Sequence, residues 1–136
     1  AYSVVLVLAF AVFAQAISPE QKEKMKKLHD ECLHETKVDP ELVTKLNHAE
    51  YTGDGEDLKC FPKCVFIKAG FIDDKGDINV AAMKEFVEKE EEKDKMIEFI
   101  EECNKEKGKD ACDTAFHSYK CYHEHLVKHF GKNIHE

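Results

Sequence analysis

Six cysteines are the residues best able to do chemistry in this 136-residue chain: Cys32, Cys60, Cys64, Cys103, Cys112 and Cys121. Cys60 and Cys64 share the stretch Lys59-Cys60-Phe61-Pro62-Lys63-Cys64. On a helix, that spacing puts both sulfurs on one face with Cβ atoms about 6 Å apart. A disulfide wants about 3.8 Å between Cβ atoms, so these two are poorly placed to bond each other. Each should reach a different partner among Cys32, Cys103, Cys112 and Cys121, and spacing alone does not choose which. The competing chemistry is reduced or metal-bound thiol, and the N-terminus argues against it. Val4 to Ala14 is an unbroken apolar run, too short to cross a bilayer as a helix. Ala14-Gln15-Ala16 has the A-x-A form of a leader cleavage site. Residues 1–16 are therefore expected to be a secretory signal peptide lacking its first residues, because no Met and no basic stretch precede the run. Residues 17–136 are then the mature domain. Export implies an oxidising compartment, where three disulfides are expected.

The other reactive side chains assemble no catalytic set. His117, His123, His125 and His129 crowd the last predicted helix, and the i,i+4 pair His125 and His129 could chelate zinc. Cys121 is expected to be oxidised, and no carboxylate or other cysteine at matching spacing completes that site, so no metal is expected. Asp73 to Phe86 only faintly resembles a calcium loop. Aligning Gly76 with the loop glycine puts Phe71, Lys75 and Ala82 where carboxylates or amides are required. His29-Asp30 beside Cys32 suggests a secreted phospholipase, but the calcium loop that chemistry needs is missing. Serine occurs only at Ser3, Ser18 and Ser118, which leaves little for a serine nucleophile. Neither enzymatic activity nor a cofactor is expected. The net charge of −8 argues against nucleic acid and anionic membranes as partners.

The elements that must position the cysteines read as helices throughout. Ser18 can cap a first helix, with Pro19 in its first turn and Gln21 where a capping box wants Glu or Gln. Met25, Leu28, Cys32 and Leu33 form its apolar stripe. Asp39-Pro40 starts a second helix with Leu42, Val43 and Leu46 inward. A third, carrying Cys60 and Cys64, is predicted from near Lys59 to Gly70, so that Pro62 falls in the first turn. Asn79 can cap a fourth with Val80, Met83, Phe86 and Val87. Asp94 can cap a fifth with Met96, Ile97, Phe99, Ile100 and Cys103, running to Gly108. Asp110 can cap a sixth, closed by Gly131, with Cys112, Ala115, Phe116, Tyr119, Tyr122, Leu126 and Phe130 on its stripe. No stretch alternates like a strand. The Phe and Met residues of the later helices suit ordinary core. They also suit the walls of a cavity for a variable apolar ligand.

The cysteine order reads Cys32-x27-Cys60-x3-Cys64-x38-Cys103-x8-Cys112-x8-Cys121. It resembles that of the six-cysteine insect odorant-binding proteins, the pheromone- and general-odorant-binding family. The x3 and x8 gaps are that family's tightest features. Lys68-Ala69-Gly70-Phe71 and Ala115-Phe116 fit it as well, and the likeness spans residues 17–136. Saposins and plant lipid-transfer proteins space their cysteines differently, insect chemosensory proteins have fewer, and vertebrate odorant carriers are β-barrels. Pro62 inside the cysteine helix is a mild departure.

The resemblance implies an all-α fold: six short helices stapled by three interlocked disulfides around an apolar pocket. It implies the pairs Cys32–Cys64, Cys60–Cys112 and Cys103–Cys121. It also implies a secreted carrier of a small hydrophobic ligand, with a membrane odorant receptor as a further partner. No stable membrane insertion is expected, and the carrier should be a monomer or weak homodimer. A non-olfactory lipid carrier and a ligand-free interaction protein are the alternatives. Pocket walls are expected from Phe66, Phe71, Ile72, Met83, Val87, Met96, Phe99, Phe116, Tyr119 and Phe130, with Leu46 and Leu58 near a rim. Tyr119, Tyr122 and His117 are the candidates for orienting a ligand. The tail, residues 132–136, is too short and polar to fill the pocket and could at most cover its mouth. Charging of the four helix histidines and His135 is expected to weaken binding between about pH 7 and 5.

Overall fold

The computed structural model describes residues 18–51, 56–73 and 75–131, without the side chains of Glu56 and Asp57. The expected leader, the centre of the loop after Tyr51, and the tail with His135 lie outside the described residues. Among those described there are six helices: α1 (Pro19–Thr36), α2 (Pro40–Asn47), α3 (Glu56–Ala69), α4 (Val80–Val87), α5 (Lys93–Cys103) and α6 (Ala111–Phe130). One isolated antiparallel bridge, Ile72 to Ile78, closes the turn between α3 and α4.

Most helix ends follow the side chains that cap them. Ser18 accepts from the Gln21 amide at 3.3 Å, and Asp39 from Glu41 at 2.9 Å. Asn79 accepts from Ala82 at 3.1 Å, and Asp110 from Asp113 at 2.8 Å. Such caps satisfy N–H groups that the first helical turn leaves without partners. Gly131 ends α6 at φ 78°, a left-handed conformation that glycine adopts without a Cβ penalty.

Three boundaries differ from the sequence reading. The capping box at α1 is only half made: the Gln21 side chain instead donates to the Phe86 carbonyl at 3.2 Å, tying α1 to α4. α5 begins at Lys93 without a side-chain cap, so Asp94 lies within its first turn. It stops at Cys103, where the Asn104 side-chain Nδ2–H donates to the Ile100 carbonyl at 2.7 Å. α3 begins at Glu56, which places Pro62 inside the helix. An interior proline costs about 3 kcal/mol in an isolated helix. Here Pro62 is fully buried, Leu58, Phe61 and Val65 on the same helix are 0% exposed, and two staples flank it. Tertiary burial outweighs the local penalty.

α6 is the centre of the packing. It lies against α3, α5 and α2, while α1 packs on α3 and α4 on α5. The core runs through Cys32, Leu58, Phe61, Val65, Met96, Ile100, Ala115 and Leu126.

Candidate functional site

The staples set the frame. Cys32 of α1 bonds Cys64 of α3, Cys60 of α3 bonds Cys112 of α6, and Cys103 of α5 bonds Cys121 of α6. Their Cα atoms are 5.8, 4.7 and 5.6 Å apart. These are the pairs the resemblance implies, and no cysteine is left free. By the chain-entropy account each bond disfavours the unfolded state by about 3–4 kcal/mol. α1, α3, α5 and α6 are thus linked covalently, whereas α2 and α4 carry no cysteine.

Within this frame lies a cavity of about 50 Å³, lined by Met25, Phe66, Phe71, Met83, Phe86, Val87, Met96, Ile100, Tyr119, Tyr122 and His123. The chain has three methionines in all, and all three are in this wall. Methionine is unbranched and polarisable, and it moulds to irregular shapes. The aromatic wall is jointed: Phe66 meets Phe71 with centroids at 5.8 Å, and Phe71 meets Phe86 at 5.5 Å, both edge-on.

Polar atoms around the cavity are mostly committed to the protein. The Tyr119 hydroxyl lies 2.7 Å from His29 Nε2, and the Asn47 side chain is within hydrogen-bond reach of the same hydroxyl. His29 Nδ1–H donates to the Met25 carbonyl at 2.8 Å, so in the neutral ring Nε2 is an acceptor. This cluster joins α1, α2 and α6. Burial pulls the His29 pKa down, opposed by the Met25 hydrogen bond and by Asp30. His123 Nδ1–H donates to the Tyr119 carbonyl at 2.9 Å, and its ring stacks on that of Tyr119 at 4.2 Å. Burial holds its pKa at about 4. Burial also pushes the Tyr119 and Tyr122 phenols well above their ordinary range. The site therefore offers an apolar enclosure with a few buried polar groups in its wall.

The sequence matches the PBP/GOBP family over residues 14–125. The chain belongs to that family. It is 31% identical over 106 residues to general odorant-binding protein 56a of Drosophila melanogaster, covering 78% of this chain and 76% of that one. Among solved structures it is similar to a fatty acid binding protein, OBP56a, from the oral disk of the blowfly Phormia regina. That likeness has 32% identity and a TM-score of 0.61, covering 82% of this chain and 96% of the other. Odorant binding protein 5 of Apis mellifera shares the fold at 20% identity and a TM-score of 0.68, covering 88% and 98%. The relatives named here are binding proteins. No helix among the described residues is long and apolar enough to cross a membrane.

In this PBP/GOBP member, Phe66, Phe71, Met83, Val87, Met96 and Tyr119 of the expected walls come together in the cavity. Ile72, Phe99, Phe116 and Phe130 do not. Ile72 is held in the bridge to Ile78. Phe99 turns to the other side of α5, where it stacks on His125 at 4.7 Å. Phe116 packs edge-on against Tyr51 at 6.3 Å and faces a charged surface hollow with Lys59, Asp113 and Lys120. Phe130 packs against His129 at the end of α6. Leu46 and Leu58 are buried in the core, not at a rim. His117 is exposed in the same hollow as Phe116 and does not reach the cavity. The helix histidines also separate: His117 and His129 are exposed, His125 is half-buried 3.6 Å from Glu102, and His123 is buried. They cannot charge as one set near neutral pH, because burial keeps His123 neutral down to about pH 4.

Sequence reasoning missed Met25, Phe86, Ile100 and His123 as wall residues, and named Tyr122 only as an orienting group. The composition carried one usable signal: a chain with only three methionines invites asking whether they meet.

Proposed function

We propose that this protein is an extracellular carrier. It holds one small hydrophobic molecule, such as an odorant, pheromone or similar semiochemical, and delivers it to sensory receptors. The observation that carries this reading is the apolar cavity walled by Met25, Met83 and Met96 inside a triply stapled helical frame. At about 50 Å³ the cavity is smaller than the several hundred Å³ typical of ligand pockets. Loading therefore requires the wall to yield. Methionine side chains can rotate away, and α4, which carries Met83 and Val87, is not stapled. Each 100 Å² or so of ligand surface buried would contribute about 2.5 kcal/mol. Micromolar affinity, about −8 kcal/mol, is enough for a carrier that must also release.

A second reading, a carrier of fatty acids, is favoured by the 32% identical blowfly protein described as fatty acid binding. Displacement of N-phenyl-1-naphthylamine by a panel of volatiles and fatty acids tests both. Displacement by volatiles at micromolar concentration is the expected result. Displacement by fatty acids alone would favour the second reading, and failure to bind the probe at all would end both.

A further inference from the structure

Glu90 is the only carboxylate buried among the described residues, at 8% exposure. It lies in the turn between α4 and α5, where its own carbonyl and N–H are used by Lys93 and Val87. Its side chain meets no hydrogen-bond donor and no cation among the described residues. Its oxygens are not among the buried side-chain atoms left without a partner, so the carboxylate reaches water through the groove it lines.

Its position suggests a use. Glu90 lines an open surface groove of about 420 Å³ together with Phe71 and Phe86. The same two rings line the cavity on their other side. With centroids 5.5 Å apart and planes at 84°, they form the partition between groove and cavity. Glu90 also acts on the cavity side. Its charge adds to burial in raising the pKa of Tyr122, which lines the cavity. The groove's other charges are Glu20, Glu85, Lys24 and Lys89, so carboxylates outnumber ammonium groups three to two.

Building on the carrier reading above, we propose that Glu90 is the head-group site at the cavity mouth. It would accept the hydrogen-bond-donating end of an amphipathic ligand, a primary alcohol or an alkylammonium. The apolar tail would pass between Phe71 and Phe86 into the methionine-walled cavity. A donor head replaces water as the carboxylate's partner, whereas a carboxylate head meets like charge. The site therefore discriminates by head group while the cavity accepts varied tails.

Isothermal titration calorimetry at pH 7 with decan-1-ol, decylamine, methyl decanoate and decanoate tests this on the wild type, Glu90→Gln and Glu88→Gln. Glu88 is exposed, pairs with Lys93 and lies outside the groove lining, so its variant removes the same charge elsewhere. The wild type should bind the amine and the alcohol more tightly than the ester, and decanoate least. Glu90→Gln should weaken decylamine about tenfold, because it removes a charge-assisted bond. It should weaken decan-1-ol less, since the amide oxygen still accepts, and should change methyl decanoate by less than about twofold. Glu88→Gln should leave the ranking intact. If Glu90→Gln preserves the wild-type ranking, or Glu88→Gln reproduces its effect, the head-group site is refuted while the carrier reading stands. If the wild type binds none of the four, the carrier reading falls and this inference with it. Should Glu90→Gln unfold, Glu90→Asp keeps the charge one methylene further back. An intermediate loss for the amine then supports the site, and no loss overturns it.

Discussion

Acid should destabilise this fold through His123 in a calculable way. The ring is buried, and burial is the main reason its pKa drops from 6.5 to about 4. The hydrogen bond to the Tyr119 carbonyl opposes the drop, and the nearby His29 and His48 reinforce it. The unfolded chain, with His123 near its ordinary value, binds a proton that the folded chain refuses between about pH 6.5 and pH 4. Stability is therefore complete above that window and is lost as pH falls through it. Linkage puts the loss from this residue at about 1 kcal/mol by pH 6, about 2 by pH 5 and about 3 by pH 4. His29, shifted the same way by burial, adds to the loss. Urea unfolding followed by circular dichroism, with the disulfides intact, reads this directly at pH 7.5 and pH 5.0. The wild type should lose about 2 kcal/mol more than His123→Gln over that interval. Equal losses in the two proteins would refute the argument. So would an NMR titration of the ring with its midpoint near 6.5 in the folded state.

The same residue sets a window for release: affinity for an apolar probe should hold from pH 7 to about pH 5 and fall below it, as charge appears in the cavity wall. A steady decline beginning at pH 7, read by probe fluorescence, would assign release to other groups. Phe116→Ala should cost about 3–4 kcal/mol of stability by chemical unfolding, yet leave probe affinity within about twofold, because the ring faces Tyr51 and not the cavity. Met96→Ala should lose about 2–4 kcal/mol while raising affinity for a bulkier probe, since Met96 is 0% exposed and its removal enlarges the cavity.

Helix order and most helix starts were legible because capping chemistry is local: Ser18, Asp39, Asn79 and Asp110 each bond a backbone N–H two or three residues on. The start of α3 was not, because Pro62 argues locally for a later start and only the buried Leu58 and Phe61 argue for the earlier one. The cavity wall was legible only in part for a related reason. The stripe of α6 is wide enough to face two places, so Tyr119 and Tyr122 reach the cavity while Phe116 and Phe130 do not. Periodicity identifies an inward face but not which neighbour lies opposite. Phe99 and Ile100 are adjacent in sequence, yet only Ile100 lines the cavity. Met25 escaped notice because α1 read as plain core, and what brings it to Met83 and Met96 is the staple from Cys32 to Cys64 and the packing beyond it.

The overlap of the three staples has a consequence for survival among proteases. The bridged intervals 32–64, 60–112 and 103–121 leave no gap between residues 32 and 121. A single backbone cut anywhere in that range is spanned by at least one disulfide. The two pieces remain one covalent molecule, heavier only by the water of hydrolysis, until a reductant is added. Removing the middle bridge, Cys60–Cys112, opens the unspanned stretch from residue 64 to residue 103, which contains all of α4 and most of α5. A nick there would then split the chain into two separate pieces, and one between Met83 and Met96 would part the methionine wall.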